Sequence, residues 1–381
     1  MPQSGLTLRL FVERAVIHES STGKANDLIP EPIHSDKQTL LDSPFMKACR
    51  LEETPYTPVW LMRQAGRYMR EYQEVRAKTN FLELCKTPSL AAEVTVTAAE
   101  RLGVDAAIIF ADILLILEPM GINLEFAKGE GPVIHNPVRT RSDIDRLREV
   151  EDVESLDFVC EAIRLTRKAL KPNLPLIGFS GAPFTLASYM TEGGGSKNYV
   201  HTKTLMYNEP SAWHSMMSLI ARGLGKYLNA QIDAGTQAVQ LFDSWVGCLG
   251  PQDYREFVLP HTREVIQSIR PGVPVIHFGT GTAALLELMS EAGGQVIGLD
   301  WRIKLDDGWK RIGAEKAVMG NLDPVTLFSS PEVIRSHAKR IIDEAGGRPG
   351  HIFNLGHGIL PETPVENVIA LVDAVHELSA K

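Results

Sequence analysis

The chain has 381 residues, 44% of them hydrophobic, which is enough for one large domain or two ordinary ones. A net charge of −8 and a pI near 5.8 argue against a nucleic-acid partner, because phosphate backbones are bound by basic surfaces. No apolar run is long enough to span a bilayer, and Cys49, Cys85, Cys160 and Cys248 form no C-x-x-C pair, which argues against a zinc ribbon or disulfide scaffold and fits a reducing cytoplasm.

Residues 1–39 are polar and interrupted by Ser and Pro, and their start lacks the basic-apolar-small layout of a secretory signal. They are expected to be a disordered N-terminal extension to a domain spanning 40–381. From residue 40 the pattern predicts strands at 59–62, 106–110, 174–180, 238–242, 273–278, 295–299, 317–320 and 351–355. Helices are predicted at 89–102, 156–170, 183–190, 210–234, 251–269, 282–292, 331–345 and 364–378, several opening on proline in the first turn.

These strands are continuous apolar runs, the mark of a sheet covered on both faces. Their βα rhythm, with no linker-like break, favours α/β architecture as a single (β/α)8 TIM barrel over a doubly wound open sheet. Polar residues suited to chemistry sit just past the ends of different strands: Arg63, Asp112, Ser180, Asp243, Ser244, His277, Asp300, Asp323 and His357. Barrel enzymes assemble their sites in that ring of loops.

Residues 58–68 (PVWLMRQAGRY) run from an apolar strand into a glycine turn, and Arg63, Arg67, Arg70 and Arg76 lie within a short span. A guanidinium offers a rigid fork of donors that matches a carboxylate. Arg70, near Glu71 and Glu74, reads as part of a solvated helix start; Arg63 and Arg67, beside Gly66, read as carboxylate ligands. Asp112 is one carboxylate in an apolar octet, so it needs donors or a ligand, although it could also cap the following turn. Residues 178–185 form a strand, tight turn and proline-started helix, with Tyr189 further along it. The run 191–197 lacks Walker spacing and reads as a mobile loop, with a lid as one role. Residues 279–284 match G-x-G-x-x-A after a strand, with Asp300 downstream, but too many βα units precede them for a nucleotide-binding half. His357 lies between Gly356 and Gly358, which would let backbone approach a ligand closely.

Taken in order, PVWLMRQAGRY (58–68), IFADIL (109–114), GFSGAPFTL (178–186), QLFDSW (240–245) and FNLGHGI (353–359) resemble the uroporphyrinogen decarboxylase family from about residue 40 onward. Ala111, Arg70 and Val246 are small departures from the family's usual residues, and none removes a key group. The resemblance implies a single TIM barrel, a homodimer, and sequential decarboxylation of the four acetate arms of uroporphyrinogen III, through partly decarboxylated intermediates, to coproporphyrinogen III. It assigns Arg63 and Arg67 to substrate carboxylates, with Gln64, Ala65 and Gly66 lending backbone contacts and Arg76 as a third cleft arginine. It matches Asp112 to the aspartate facing the pyrrole N–H groups, Tyr189, Ser244 and His357 to the polar surround, and Phe179 and Phe242 to the apolar walls.

The chemistry fits without a cofactor or metal. Loss of CO2 leaves a carbanion that usually needs an electron sink, and a ring-protonated pyrrole is its own sink. The proton could come from Arg63, from Asp112 in its protonated form, or from a bound water; a guanidinium with a pKa above about 12 is a poor acid. The main rival is a cobamide or coenzyme M methyltransferase of similar fold, whose zinc is held by a His-x-Cys pair. Here His277 is followed by Gly279, so the thiolate is missing. An NAD-dependent oxidoreductase and a non-catalytic tetrapyrrole carrier are weaker alternatives.

Overall fold

The computed structural model describes residues 38–127 and 131–381. The extension expected at 1–39 lies outside the described residues except for its last two positions. Seven parallel strands form one curled sheet: β1 (Ala107–Ile108), β4 (Leu176–Gly181), β5 (Ala238–Asp243), β6 (Val275–Gly279), β7 (Val296–Gly298), β8 (Ala317–Met319) and β9 (His351–Ile352), paired in that order. A separate antiparallel pair, β2 (Leu124–Ala127) with β3 (Gly131–Ile134), sits in the connection after β1.

The predicted strand at 59–62 is reduced to one parallel bridge, Val59 to Phe353. Its backbone is nevertheless used on both sides. Phe353 N donates to Pro58 O at 2.8 Å, Trp60 N donates to Phe353 O at 3.3 Å, and Asp105 N donates to Val59 O at 2.7 Å. The segment thus bonds next to β9 on one side and just before β1 on the other. Val59, Trp60 and Leu61 are fully buried.

Helix boundaries follow local chemistry. Proline occupies the first turn of Pro88–Leu102, Pro183–Glu192, Pro210–Ala234 and Pro331–Ala345, where its missing N–H costs nothing. Gly103, Gly193 and Gly346 end three of these helices in the left-handed region. The helix predicted at 251–269 is two, Pro251–Phe257 and Leu259–Ser268. Pro260 explains the break, because it lacks an N–H and its ring collides with the carbonyl of the preceding turn. Among the described residues no helix is long and apolar enough to cross a membrane.

Candidate active site

The loop after residues 58–62 carries the first cluster. Leu61 O accepts from Gln64 N, and Gly66 O from Met69 N, so the chain turns tightly between the two arginines. Arg63 takes a φ of 63°, in the left-handed region that residues with side chains rarely adopt. The last loop clamps the turn: Met62 N donates to Asn354 Oδ1 at 3.1 Å, and Ile359 N donates to Met62 O at 2.9 Å. The glycines around His357 serve this packing. A side chain at Gly358 would run into that of Arg63, and one at Gly356 into the Asp300–Trp301 backbone. Their small size lets protein approach protein here.

Arg63 and Arg67 are exposed, and among the described residues neither forms an ion pair. Arg70 contrasts with them: its Nε lies 2.8 Å from Glu74 Oε1 on an exposed helix face, as its sequence context suggested. Enclosure by the surrounding loops and the neighbouring Arg67 lower the pKa of Arg63, while Tyr189 and Asp112 oppose that shift. Gln64 is fully buried with its Nε2 unpartnered, and its backbone carbonyl accepts from Tyr68 Oη at 2.7 Å.

Asp112 follows β1 and is partly buried. Its Oδ1 accepts from Leu114 N at 2.8 Å, so the turn-capping role is real. Among the described residues that is the one hydrogen bond its side chain makes. Desolvation raises its pKa from 3.8 to about 6, against the lowering effects of the Leu114 bond and of Arg63. Tyr189, on the helix Pro183–Glu192, stands within electrostatic reach of both Asp112 and Arg63, and burial pushes its hydroxyl up to about 12. The Tyr189 ring stacks on Trp245, centroids 3.8 Å apart at 29°. The pKa of His357 is lowered by burial and then by Arg63, which places it in the same field. Phe179 and Phe242 meet edge to face at 5.5 Å, and Phe242 meets Phe278 at 6.2 Å.

Arg63, Arg67, Asp112, Tyr189 and His357 therefore form one electrostatic group. Ala65, Gly66 and Ser244 lie partly exposed, Ser244 next to Trp245 in the turn after β5. Arg76 is linked to the group through shared neighbours: Arg67 and Arg76 both act on Tyr72, and Asp112 and Arg76 both act on Cys85. The Arg76 guanidinium donates to Thr79 O and lies beside Tyr72, whose pKa is raised mainly by burial. Tyr72 packs in turn on Phe110 at 5.6 Å.

Two other sequence features resolve differently. Asp300 is buried; it accepts from Gly281 N, from Arg302 N at 2.9 Å and from Arg302 Nη1 at 2.6 Å. The acid of the would-be dinucleotide fingerprint is thus engaged in holding the Gly279–Gly281 turn, and the next helix begins only at Leu286. The glycine run at 193–195 joins two helices, with Gly193 O accepting from Ile134 N at 2.9 Å. Among the described residues no group of three or more His, Cys, Asp or Glu is placed to hold a metal ion.

Prediction missed the partners of these groups. In the sequence Trp245 is only the end of a motif and Thr185 only part of one, with nothing to tie either to the site. His277 and Asp243 stand out as strand-end residues, but their approach across β5 and β6 depends on register, which a single sequence does not reveal.

The protein-family model described as uroporphyrinogen decarboxylase (URO-D) matches residues 40–378. A uroporphyrinogen decarboxylase from Carboxydothermus hydrogenoformans is 59% identical over 341 residues, covering 89% of this chain and 97% of that protein. Another, from Sorangium cellulosum, is 58% identical over 335 residues, covering 88% and 96%. Among solved structures, a methyltransferase from Methanosarcina mazei superposes with a TM-score of 0.71 at 19% identity, over 89% of this chain and 98% of that one. At that identity the likeness concerns the fold alone. With five motifs in order and relatives more than half identical along nearly their whole length, the chain belongs to the uroporphyrinogen decarboxylase family.

Proposed function

We propose that this chain is a carboxy-lyase that removes the four acetate carboxyls of uroporphyrinogen III in turn, leaving methyl groups and releasing coproporphyrinogen III and CO2. The observation that carries the reading is the uncompensated Arg63–Arg67 pair beside one sparingly hydrogen-bonded carboxylate, Asp112. Two free cations suit a substrate with many carboxylates, and the single anion suits a cation formed only during reaction.

In this mechanism the arginines hold the acidic arms, and Phe179 and Phe242 wall the macrocycle. Protonation of the ring carbon beside an acetate arm makes the pyrrole an electron sink. The carboxyl C–C bond then breaks, its electron pair flows into the ring, and CO2 leaves. Reprotonation at the exocyclic carbon gives the methyl group, and loss of the ring proton restores the pyrrole. Asp112 accepts from the pyrrole N–H groups and stabilises the cationic ring, a preorganised electrostatic role. Gln64, Ala65, Gly66, Tyr189, Ser244 and His357 complete the polar surround, and Arg76 reaches the outer arms. The pyrrole supplies the sink that a cofactor would otherwise provide.

The same reading extends to architecture and setting. Residues 58–62, bonded towards both β9 and β1, act as an eighth strand that closes a (β/α)8 barrel. The family resemblance supports a homodimer and a cytoplasmic location; sedimentation velocity across a concentration series tests the first. Function is tested by incubating the purified protein with uroporphyrinogen III under reducing conditions, then measuring CO2 and the hepta- to tetracarboxylic products. Absence of both would refute the assignment. Dialysis against a chelator should leave the rate unchanged; a rate restored only by zinc, NAD or pyridoxal phosphate would overturn the cofactor-free mechanism.

A further inference from the structure

Beneath the Tyr189–Trp245 stack lies a buried polar chain that the mechanism above does not use. Asp243, the last residue of β5, is fully buried. Its Oδ1 accepts from Thr185 Oγ1 at 3.0 Å, and Thr185 Oγ1 in turn accepts from Trp245 N at 3.3 Å. The other oxygen, Oδ2, has no hydrogen-bond partner and faces His277 Nε2 at 3.7 Å; His277 is also fully buried.

A hydroxyl has one proton to give and lone pairs to receive. With its proton committed to the Asp243 carboxylate, Thr185 Oγ1 presents a lone pair to the Trp245 amide. The carboxylate therefore sets the polarity of the whole chain. Thr185 and Tyr189 are four residues apart on the helix Pro183–Glu192, and so lie on one face. The same hydroxyl thereby ties the helix that carries Tyr189 to the turn that carries Ser244 and Trp245.

We propose that Thr185 and Asp243 are positioning residues for decarboxylation: their hydrogen-bonded chain to the Trp245 amide fixes the Tyr189–Trp245 stack and the Ser244 turn against Asp112. This rests on the proposed function. Neither residue touches substrate; both act through Tyr189 and the turn.

The test compares Thr185→Val with Thr185→Ser. Valine keeps the branched shape and deletes the hydroxyl; serine restores it. The valine variant should lose kcat by about 10- to 100-fold, the scale of an ångström-sized misplacement. Its KM should stay within about threefold, because the arginines that bind the arms are untouched. Serine should recover most of the loss. If the valine variant does not accumulate, Thr185→Ala takes its place.

The stack is also read without turnover, from the near-ultraviolet circular dichroism that disappears in Trp245→Phe. Valine should lose most of that signal and serine should keep it. A valine variant with parental kcat and parental signal, or a serine variant no better than valine, overturns the proposal. An active parent with those results refutes only this inference. A parent that releases no CO2 refutes the function, and the dichroism then still decides whether Thr185 fixes the stack.

Discussion

Two carboxylates flank β1, and their surroundings are opposite. Asp105, just before the strand, is crowded with donors. Val59 N donates to it at 2.7 Å, Tyr56 Oη at 2.9 Å, and His376 Nε2 lies 2.7 Å away. It fastens the C-terminal helix Val365–Ser379 to the start of the sheet. Asp112, just after the strand, has one backbone donor and lies in the field of Arg63, itself beside Arg67. A carboxylate saturated by protein has little left for a ligand; one left short of donors is a site in waiting. The two lie at opposite ends of the same parallel strand.

The largest effects should separate these two aspartates. Asp112→Asn should keep the fold and lower decarboxylation by about 10²–10³, or 3–4 kcal/mol, on the scale of other deleted preorganised charges. Asp105→Ala should do the reverse. It orphans buried donors and should cost about 3 kcal/mol of stability, while turnover per folded molecule stays near parental. Denaturant unfolding with active-site-normalised kinetics checks both. Near-parental turnover in Asp112→Asn would sink the role given to that residue.

A smaller effect tests the cations opposite Asp112. Arg67→Lys keeps the charge but loses the planar fork, and each charge-assisted hydrogen bond is worth roughly 1.5–3 kcal/mol. Binding of octacarboxylic and pentacarboxylic substrates should weaken alike, because every intermediate keeps its propionates. Arg63→Lys should lower kcat as well. Two lysine variants with parental kcat and KM on both substrates would reduce the arginine pair to solvated surface.

Much of this comparison was legible in the sequence, and the reason is local. Arg63, Arg67 and Asp112 sit in short strings where polar groups interrupt apolar runs. Pro210–Ala234 and Pro331–Ala345 matched their predicted bounds because proline and glycine punctuate them. What escaped depends on register or on distant chain. Nothing near Asp105 in sequence announces His376, and nothing near Asp243 announces His277. The β2–β3 hairpin lacks a strong alternating pattern. The strand at 59–62 was read correctly as buried and extended, yet its bonding is shared between two neighbours and so yields only a bridge. The glycines beside His357 stand out in the sequence, but only the folded chain shows Arg63 and Trp301 pressed against them.

The smallest effect is the most specific, because it turns the under-donated state of Asp112 into a pH signature. Its folded-state pKa is raised by desolvation from 3.8 to about 6. The folded protein therefore holds this proton to higher pH than the unfolded chain does. Its contribution to stability is fully present below about pH 4 and is lost as the pH rises through about 6. Asparagine keeps the acceptor for Leu114 N and carries no charge to desolvate. Asp112→Asn should thus match the parent near pH 4 and exceed it at pH 7.5 by about 1–2 kcal/mol, a figure discounted for the side chain's partial solvent access. The kinetic limb runs the other way. If the ionised carboxylate stabilises the cationic ring, kcat/KM should fall as the pH drops through about 6, and that limb should vanish in the residual activity of the asparagine variant. Thermal unfolding at the two pH values, alongside the kcat/KM profile, reads both. A variant less stable than the parent at pH 7.5 would mean that Asp112 is satisfied by its surroundings after all, and the contrast with Asp105 would collapse.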